Sequence, residues 1–147
     1  MTIMSKPNID WTIHCCRNGV VCDICGDMEN GFIENACNAH THGMKKYGHM
    51  DFQLVLAYSN KEICRILNTF GLWVQQGRRF AAGDLVSGIY EDCDVRLDAF
   101  EETGRAVLRV IIPDKHNIFP NDKRCMYPYT LQTIPTDLLW SKGGTRS

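Results

Sequence analysis

The chain has 147 residues, of which 44% are hydrophobic and 22% charged, and its formal net charge is −1. This length favours one domain, which we expect to span residues 1–140, with a flexible tail over residues 141–147. The balanced charge argues against nucleic acid as a partner, and the apolar runs are too short to cross a membrane. The first residues lack the apolar core of a secretory signal, so we predict a cytoplasmic protein whose eight cysteines are mostly reduced.

The first part of the chain predicts short strands joined by turns. The segment Asp10–Cys16 alternates in character, so a strand there would turn His14 and Cys16 to the same side. Asn18-Gly19 is a strong turn signal, which lets Val20–Cys22 return as a second short strand. Residues 23–31 predict a loop, and a further strand is expected over Phe32–Thr41.

The middle of the chain carries the clearest helical signal. Two glycines punctuate Gly43–Asp51, which predicts one short helical turn, and the apolar run Phe52–Tyr58 predicts a buried strand. Ser59 and Glu62 then fit a capping box, and apolar residues recur after it at helical spacing. We therefore predict a long helix over Asn60–Gln76 that stops at Gly77.

The second half of the chain predicts mainly strands. Thr103-Gly104 would form the hairpin turn between the strands expected over Val95–Phe100 and Ala106–Ile112. The strand over Ala106–Ile112 is the most apolar and should be central. An edge strand is expected later in the chain, at Tyr127–Leu131. These elements predict an α+β fold, in which a mixed, mainly antiparallel sheet carries one long helix packed on one face. The three long strands are expected over Asp84–Tyr90, Val95–Phe100 and Ala106–Ile112.

The stretch Cys22–His49 holds three of the eight cysteines and three of the five histidines. Two ligand pairs within it have the spacing C-x2-C-x11-C-x2-H, which is compatible with a structural zinc site. In a regular strand, however, Cys37 would point to the face opposite His40. The zinc interpretation therefore requires the strand to bend. The four candidate metal ligands are Cys22, Cys25, Cys37 and His40.

A second arrangement uses the histidines. His40 and His42 are two residues apart, so they share a face in a strand, and His49 follows after a short turn. Three histidines, or two with a carboxylate such as Asp51, would leave an open coordination position for water on zinc, iron or manganese. His40, His42 and His49 are therefore the candidate ligand-binding residues, with zinc as a possible cofactor.

Other interpretations of these residues stay open. Cys22 and Cys25 have the C-x-x-C spacing of redox dithiols, although no helix follows them to lower a thiolate pKa. The cysteines can also be small buried residues, with the histidines hydrogen-bonded in a loop. Asp114, His116 and Asp122 lie on a later loop that could supply a general base, but a polar turn is the simpler interpretation. No catalytic residue can be assigned.

Several segments together resemble the bacterial domain-of-unknown-function 4262 family, over about residues 32–132. The sequence differs from the family pattern at Met50-Asp51, where the family has Pro-Glu, and at His40–Gly43. The resemblance implies an α+β fold, a bacterial origin and fixed positions for His49, Arg78 and Asp84, but it implies no activity. The matching segments are Tyr47–Phe52 (YGHMDF), Gly77–Asp84 (GRRFAAGD), Ile112–Asp114 (IPD) and Phe119-Pro120.

We therefore expect a small protein with a Cys/His-rich polar site that binds a transition metal or a small ligand, and a hydrolase-like activity is one hypothesis for such a site. The alternative is a non-catalytic, homo-oligomeric interaction module without metal, whose cysteines are reduced and structural. A homodimer fits either expectation, and the small-molecule ligand is not identified.

Overall fold

The computed structural model describes residues 9–16 and 33–139 of the chain. Within these ranges, one six-stranded sheet has the strand order β1-β2-β3-β6-β5-β4. Neighbouring strands are antiparallel except β3 and β6, which are parallel. Between these two strands the chain crosses through the helix α1 to β4 at the far edge and returns through β5. The strands are β1 Thr12–Cys16, β2 Ala36–His42, β3 Asp51–Leu56, β4 Leu85–Val86, β5 Val95–Glu102 and β6 Arg105–Ile111, and α1 spans Asn60–Gln75.

The predicted fold class is confirmed, since this is an α+β protein with a mixed sheet and one long helix. Helix α1 begins where expected, because the Ser59 side chain accepts a hydrogen bond from the Glu62 backbone N–H at 3.2 Å. The predicted short helical turn is a 3-10 turn at Met44–Tyr47. The hairpin turn is also confirmed, with Thr103 and Gly104 both at positive φ.

Two predicted strands differ from the structure. The strand expected over Asp84–Tyr90 contains only Leu85–Val86, because the chain bends away at Gly88, which has φ 104°. The edge strand expected at Tyr127–Leu131 is wrong, since this segment enters a 3-10 turn at Tyr129–Thr133. The side chain of Gln132 there bonds both the N–H and the C=O of Ile112, at 2.7 Å each, which replaces strand pairing with side-chain pairing.

The two faces of the sheet differ in character. One face packs against the apolar side of α1 and forms the larger hydrophobic core, which includes Phe52, Phe70 and Leu108. The opposite face carries buried polar side chains, among them His40 and Arg109. Residues 129–139 run over part of that polar face. The position of the candidate site therefore depends on which side of each strand a residue occupies.

Strand β1 is held against the rest of the protein by Trp11, the residue before it. The indole Nε1 donates a hydrogen bond to Asn68 Oδ1 of α1 at 2.8 Å. The ring fits against Gly71 of the helix, where a Cβ atom would lie only 2.5 Å from Trp11 Cζ2. This contact anchors the strand that carries His14.

No helix within residues 9–16 and 33–139 has both the length and the apolar character needed to cross a membrane.

Candidate metal centre

Three histidines meet on the polar face of the sheet, at the pairing of β1 with β2. His14 lies directly opposite His40, and Thr12 lies opposite His42, so all three imidazoles project on one side of the two strands. The ring centroids of His14 and His42 are 4.2 Å apart, and those of His40 and His42 are 5.0 Å apart. The antiparallel register therefore builds the cluster from two short strands that are separated in the chain by residues 17–35.

The ring nitrogens of this cluster are arranged as metal ligands would be. One nitrogen from each of His14, His40 and His42 lies within 4.8 Å of the other two. Nitrogens that share a tetrahedral zinc ion are about 3.3 Å apart, as follows from Zn–N bonds of about 2.05 Å. The rings would thus have to close by at most about 1.5 Å, so these residues can hold a metal ion.

Two ring nitrogens of the three histidines are buried without a hydrogen-bond partner. Among the residues that the structure describes, His14 Nδ1 and His40 Nε2 have no hydrogen-bond partner. Buried polar atoms are nearly always paired, because leaving one unpaired costs roughly 1–3 kcal/mol. His40 is only 1% exposed, so bulk water does not supply a hydrogen-bond partner for its Nε2.

The electrostatics favour the neutral form of all three imidazoles. Burial lowers the pKa of His14, His40 and His42, and it lowers that of His40 to about 4. At pH 7 each imidazole is therefore neutral, with a proton on one ring nitrogen and a lone pair on the other. Neutral imidazole is the form that binds a metal ion.

Glu102 brings a carboxylate to the same cluster. Its Oε2 lies 3.6 Å from His40 Nε2, which is too long for a hydrogen bond but close enough to share a metal ion. Its Oε1 accepts a hydrogen bond from Arg105 Nε at 3.0 Å. Burial raises the pKa of Glu102, but the interaction with His40 and the hydrogen bonds from Arg105 and Thr103 lower it, and the net direction is downward. The carboxylate is therefore ionised at neutral pH.

The orientation of His40 is set by its other ring nitrogen. His40 Nδ1 lies 3.0 Å from Asn38 Oδ1, and this oxygen also accepts a hydrogen bond from Gln53 Nε2 at 2.9 Å. An amide oxygen can only accept, so a hydrogen bond at this contact requires the proton on Nδ1 and leaves the lone pair on Nε2. A hydrogen bond of this kind behind a ligand histidine is typical of metal sites.

The structure does not bring Cys37 to His40. Cys37 is fully buried in the core between the sheet and α1, whereas His40 faces His14 on the other side. Strand alternation separates the two despite an irregularity in the pairing of β2 with β3 between Ala36 and Ala39. The predicted ligands Cys22 and Cys25, and with them the dithiol interpretation, lie outside the described residues.

The structure also places His49 away from the cluster. Its ring stacks on Phe52, at 5.3 Å between centroids, and belongs to the helix side of the sheet. Its Nδ1 lies 2.8 Å from the Met50 carbonyl oxygen, and its Nε2 accepts the Phe80 N–H at 3.0 Å. Both nitrogens are thus used to tie the start of β3 to the segment before β4, which is a structural role.

The carboxylates considered in the sequence also have structural partners. Asp51 accepts hydrogen bonds from Thr41 Oγ1 at 2.7 Å and from the Met44 N–H at 3.1 Å, and it pairs with Arg105 at 2.6 Å. Asp114 borders a depression of about 220 Å³. Asp114 accepts hydrogen bonds from the backbone N–H groups of His116, Ile118 and Met126. These bonds support the interpretation of that loop as a polar turn.

Sequence reasoning missed two members of the site, His14 and Glu102. Alternation within Asp10–Cys16 already gave His14 a definite side, but it did not say which strand lies beside it. The expected neighbour, Val20–Cys22, lies outside the described residues, and the structure shows β1 paired with β2, which the sequence did not predict. For Glu102 the sequence holds no signal, because it reaches the cluster from β5 through the fold alone.

Comparison with known proteins finds no matching family model, no matching curated protein and no matching solved structure. The resemblance to the domain-of-unknown-function 4262 family therefore stays a prediction.

Proposed function

We propose that this protein binds one divalent transition-metal ion through His14, His40 and His42, with zinc as the first candidate. The observation that carries the proposal is the pair of buried ring nitrogens, His14 Nδ1 and His40 Nε2, which lack a partner within residues 9–16 and 33–139. A metal ion bound by these rings would supply a partner for a buried ring nitrogen. The neutral state of the imidazoles adds support, since no proton has to be displaced at neutral pH.

Glu102 is the proposed anionic partner of the ion. Three neutral imidazoles leave a divalent charge uncompensated inside the protein, and uncompensated buried charge is costly. The Glu102 carboxylate lies 3.6 Å from His40 Nε2 and supplies a negative charge at the right place. Imidazole and carboxylate donors together suit zinc, iron and manganese, which is why zinc is a first candidate and not an assignment.

An open coordination position would make this a functional site. Zinc commonly takes four ligands, so the three histidines leave one position for Glu102, for water or for a small ligand. Zinc lowers the pKa of a bound water to about 7, which is the basis of a hydrolase-like activity at such sites. We assign no catalytic residue, and the substrate is not identified.

The test is a calorimetric titration of zinc into protein purified without a histidine tag and freed of metal by chelation. We expect about one equivalent to bind, and we expect the His42→Ala variant to weaken binding by more than about a hundredfold, beyond the usual effect of an outer-shell change. His116→Ala is the matched control, because His116 is exposed on a distant loop.

A cysteine variant separates the two metal interpretations. Cys22→Ser/Cys25→Ser should retain the metal if the histidines hold it. Loss of the metal in that variant, together with its retention in His42→Ala, would overturn the proposal. Absence of metal binding in the unaltered protein would also overturn it, and would leave the non-catalytic module as the better hypothesis.

Homodimerisation and cytoplasmic location stay predictions. Among the described strands, β4 is a two-residue edge strand, and its Leu85 is 61% exposed. So short an edge offers few backbone groups for strand pairing, so only the exposed Leu85 side chain favours contact between copies. Light scattering on the purified protein measures this directly.

A further inference from the structure

We propose that Asn38 is a positioning residue that fixes the tautomer of His40, and that Gln53 and Arg109 hold Asn38 in the orientation that does so. The consequence for metal affinity rests on the proposed function. The tautomer itself is a property of the metal-free protein and is tested separately.

The chain of contacts starts at Arg109, which is fully buried on the polar face of the sheet. A guanidinium group has only donors and stays protonated in proteins. Its Nη1 donates to the carbonyl oxygens of Gln132 at 2.8 Å and Ile134 at 2.6 Å. The cation also lies over the Phe100 ring, 3.5 Å from the centroid. These contacts fix the guanidinium, so its Nε–H points in a defined direction.

Gln53 accepts a hydrogen bond from that Nε–H, and this contact fixes the orientation of the Gln53 amide. Arg109 Nε donates to Gln53 Oε1 at 2.7 Å, so the amide oxygen must face the arginine. The amide nitrogen then faces the other way and donates to Asn38 Oδ1 at 2.9 Å. Its second hydrogen goes to Thr136 Oγ1 at 3.1 Å, which itself donates to the Glu101 carbonyl oxygen. A reversed Gln53 amide would place NH2 against the guanidinium.

Asn38 is therefore oriented from two sides. Its Oδ1 accepts from Gln53, and its Nδ2 donates to Glu102 Oε2 at 3.3 Å. A reversed Asn38 amide would put nitrogen against the Gln53 NH2 group and oxygen against the Glu102 carboxylate. Both contacts would be repulsive, so one orientation dominates.

The result is a defined tautomer at His40. Asn38 Oδ1 lies 3.0 Å from Nδ1, so Nδ1 carries the proton and Nε2 is left with its lone pair. Nε2 is also one of the two buried ring nitrogens without a hydrogen-bond partner in the described part of the chain, and it lies 3.6 Å from Glu102 Oε2. The network thus presents a lone pair to the cluster, where the opposite tautomer would present a hydrogen atom that blocks a metal ion.

The experiment is a two-bond 1H–15N correlation spectrum of the metal-free protein near pH 7.5, which distinguishes protonated from unprotonated ring nitrogens. We expect His40 to be protonated at Nδ1 in the unaltered protein. In Asn38→Leu, which has a similar size but no acceptor, we expect a mixture of tautomers or the Nε2-protonated form. Asn121→Leu, the same change on an exposed loop, is the control.

Asn38→Asp distinguishes positioning from a general effect on folding. It restores an acceptor for His40 Nδ1, while it removes the donor to Glu102 and places two carboxylates together. We therefore expect lower stability than in the unaltered protein but the same Nδ1-protonated tautomer. A merely structural role would make tautomer and stability change together. An Nε2-protonated His40 in the unaltered protein, or an unchanged tautomer in Asn38→Leu, would overturn the proposal.

Metal affinity is the second measurement. Loss of the contact behind a ligand histidine typically weakens binding by about 10–100-fold, so we expect this for Asn38→Leu. The two proposals fail in different ways. If the unaltered protein binds no metal but His40 is Nδ1-protonated, the metal proposal fails and the positioning role stands. If the unaltered protein binds metal but His40 is Nε2-protonated in the metal-free state, the positioning role fails.

Discussion

Replacing Gly71 with alanine is expected to destabilise the protein, although alanine is the better helix former. Gly71 lies inside α1, where the substitution should gain roughly 1 kcal/mol from helix propensity alone. The added Cβ, however, would lie 2.5 Å from Cζ2 and 2.6 Å from Cε2 of Trp11. Real Cβ atoms do not approach carbon so closely, so either the ring or the helix must move.

The ring of Trp11 has little freedom to retreat. Its Nε1 is bonded to Asn68 at 2.8 Å, and behind it the Trp11 Cβ is so close to Gly43 that a Cβ there would lie 2.7 Å away. Overpacking of this kind costs roughly 1–3 kcal/mol. With about 2 kcal/mol lost to overpacking and about 1 kcal/mol gained in propensity, we expect Gly71→Ala to lower the free energy of unfolding by about 1 kcal/mol.

Urea unfolding of a double-mutant cycle checks this reasoning. In a Trp11→Ala background the ring is absent, so Gly71→Ala should raise the free energy of unfolding by about 1 kcal/mol. The sign of the effect should therefore reverse between the two backgrounds. If Gly71→Ala stabilises the unaltered protein as much as it stabilises Trp11→Ala, the contact between Trp11 and α1 does not anchor β1 as described.

Two further changes have clear expected outcomes. The unfolded chain protonates His40 near its ordinary pKa of 6.5, whereas the native chain does so only at about 4. The metal-free protein should therefore be most stable above pH 6.5 and lose up to about 3 kcal/mol as the pH falls to 4, a loss that His40→Gln should reduce. Urea titrations at several pH values measure it. Ser59→Ala should lower the free energy of unfolding by about 1 kcal/mol at every pH, because it removes the N-cap of α1; an unchanged urea midpoint would contradict the capping role.

Local signals in the sequence were sufficient for most of the fold. The cap at Ser59 and the apolar spacing after it define α1, and Thr103-Gly104 defines the turn between β5 and β6. The predicted strand at Tyr127–Leu131 was wrong because its pattern is shared by any half-buried segment. What decides its conformation is the side chain of Gln132, which takes the place of a strand partner for Ile112. That contact spans 20 residues and leaves no local trace.

The candidate site was harder to predict, because it depends on which strands are neighbours. Alternation correctly put His40 and His42 on one face, and it correctly questioned Cys37. It gave no way to choose between His14 and His49 as their companion. His14 joins the cluster through the register of β1 with β2, whereas His49 lies closer in sequence but has both nitrogens bonded elsewhere. Closeness along the chain was therefore a poor guide to closeness in the fold.

The most direct measurement of the central claim is X-ray absorption at the zinc edge of protein loaded with one equivalent of zinc. We predict a first shell of nitrogen and oxygen atoms at about 2.0 Å, with outer-shell scattering from about three imidazole rings and no sulfur. A sulfur shell at about 2.3 Å would assign the ion to cysteines and contradict the histidine site. Scattering from fewer than two imidazoles would contradict it equally.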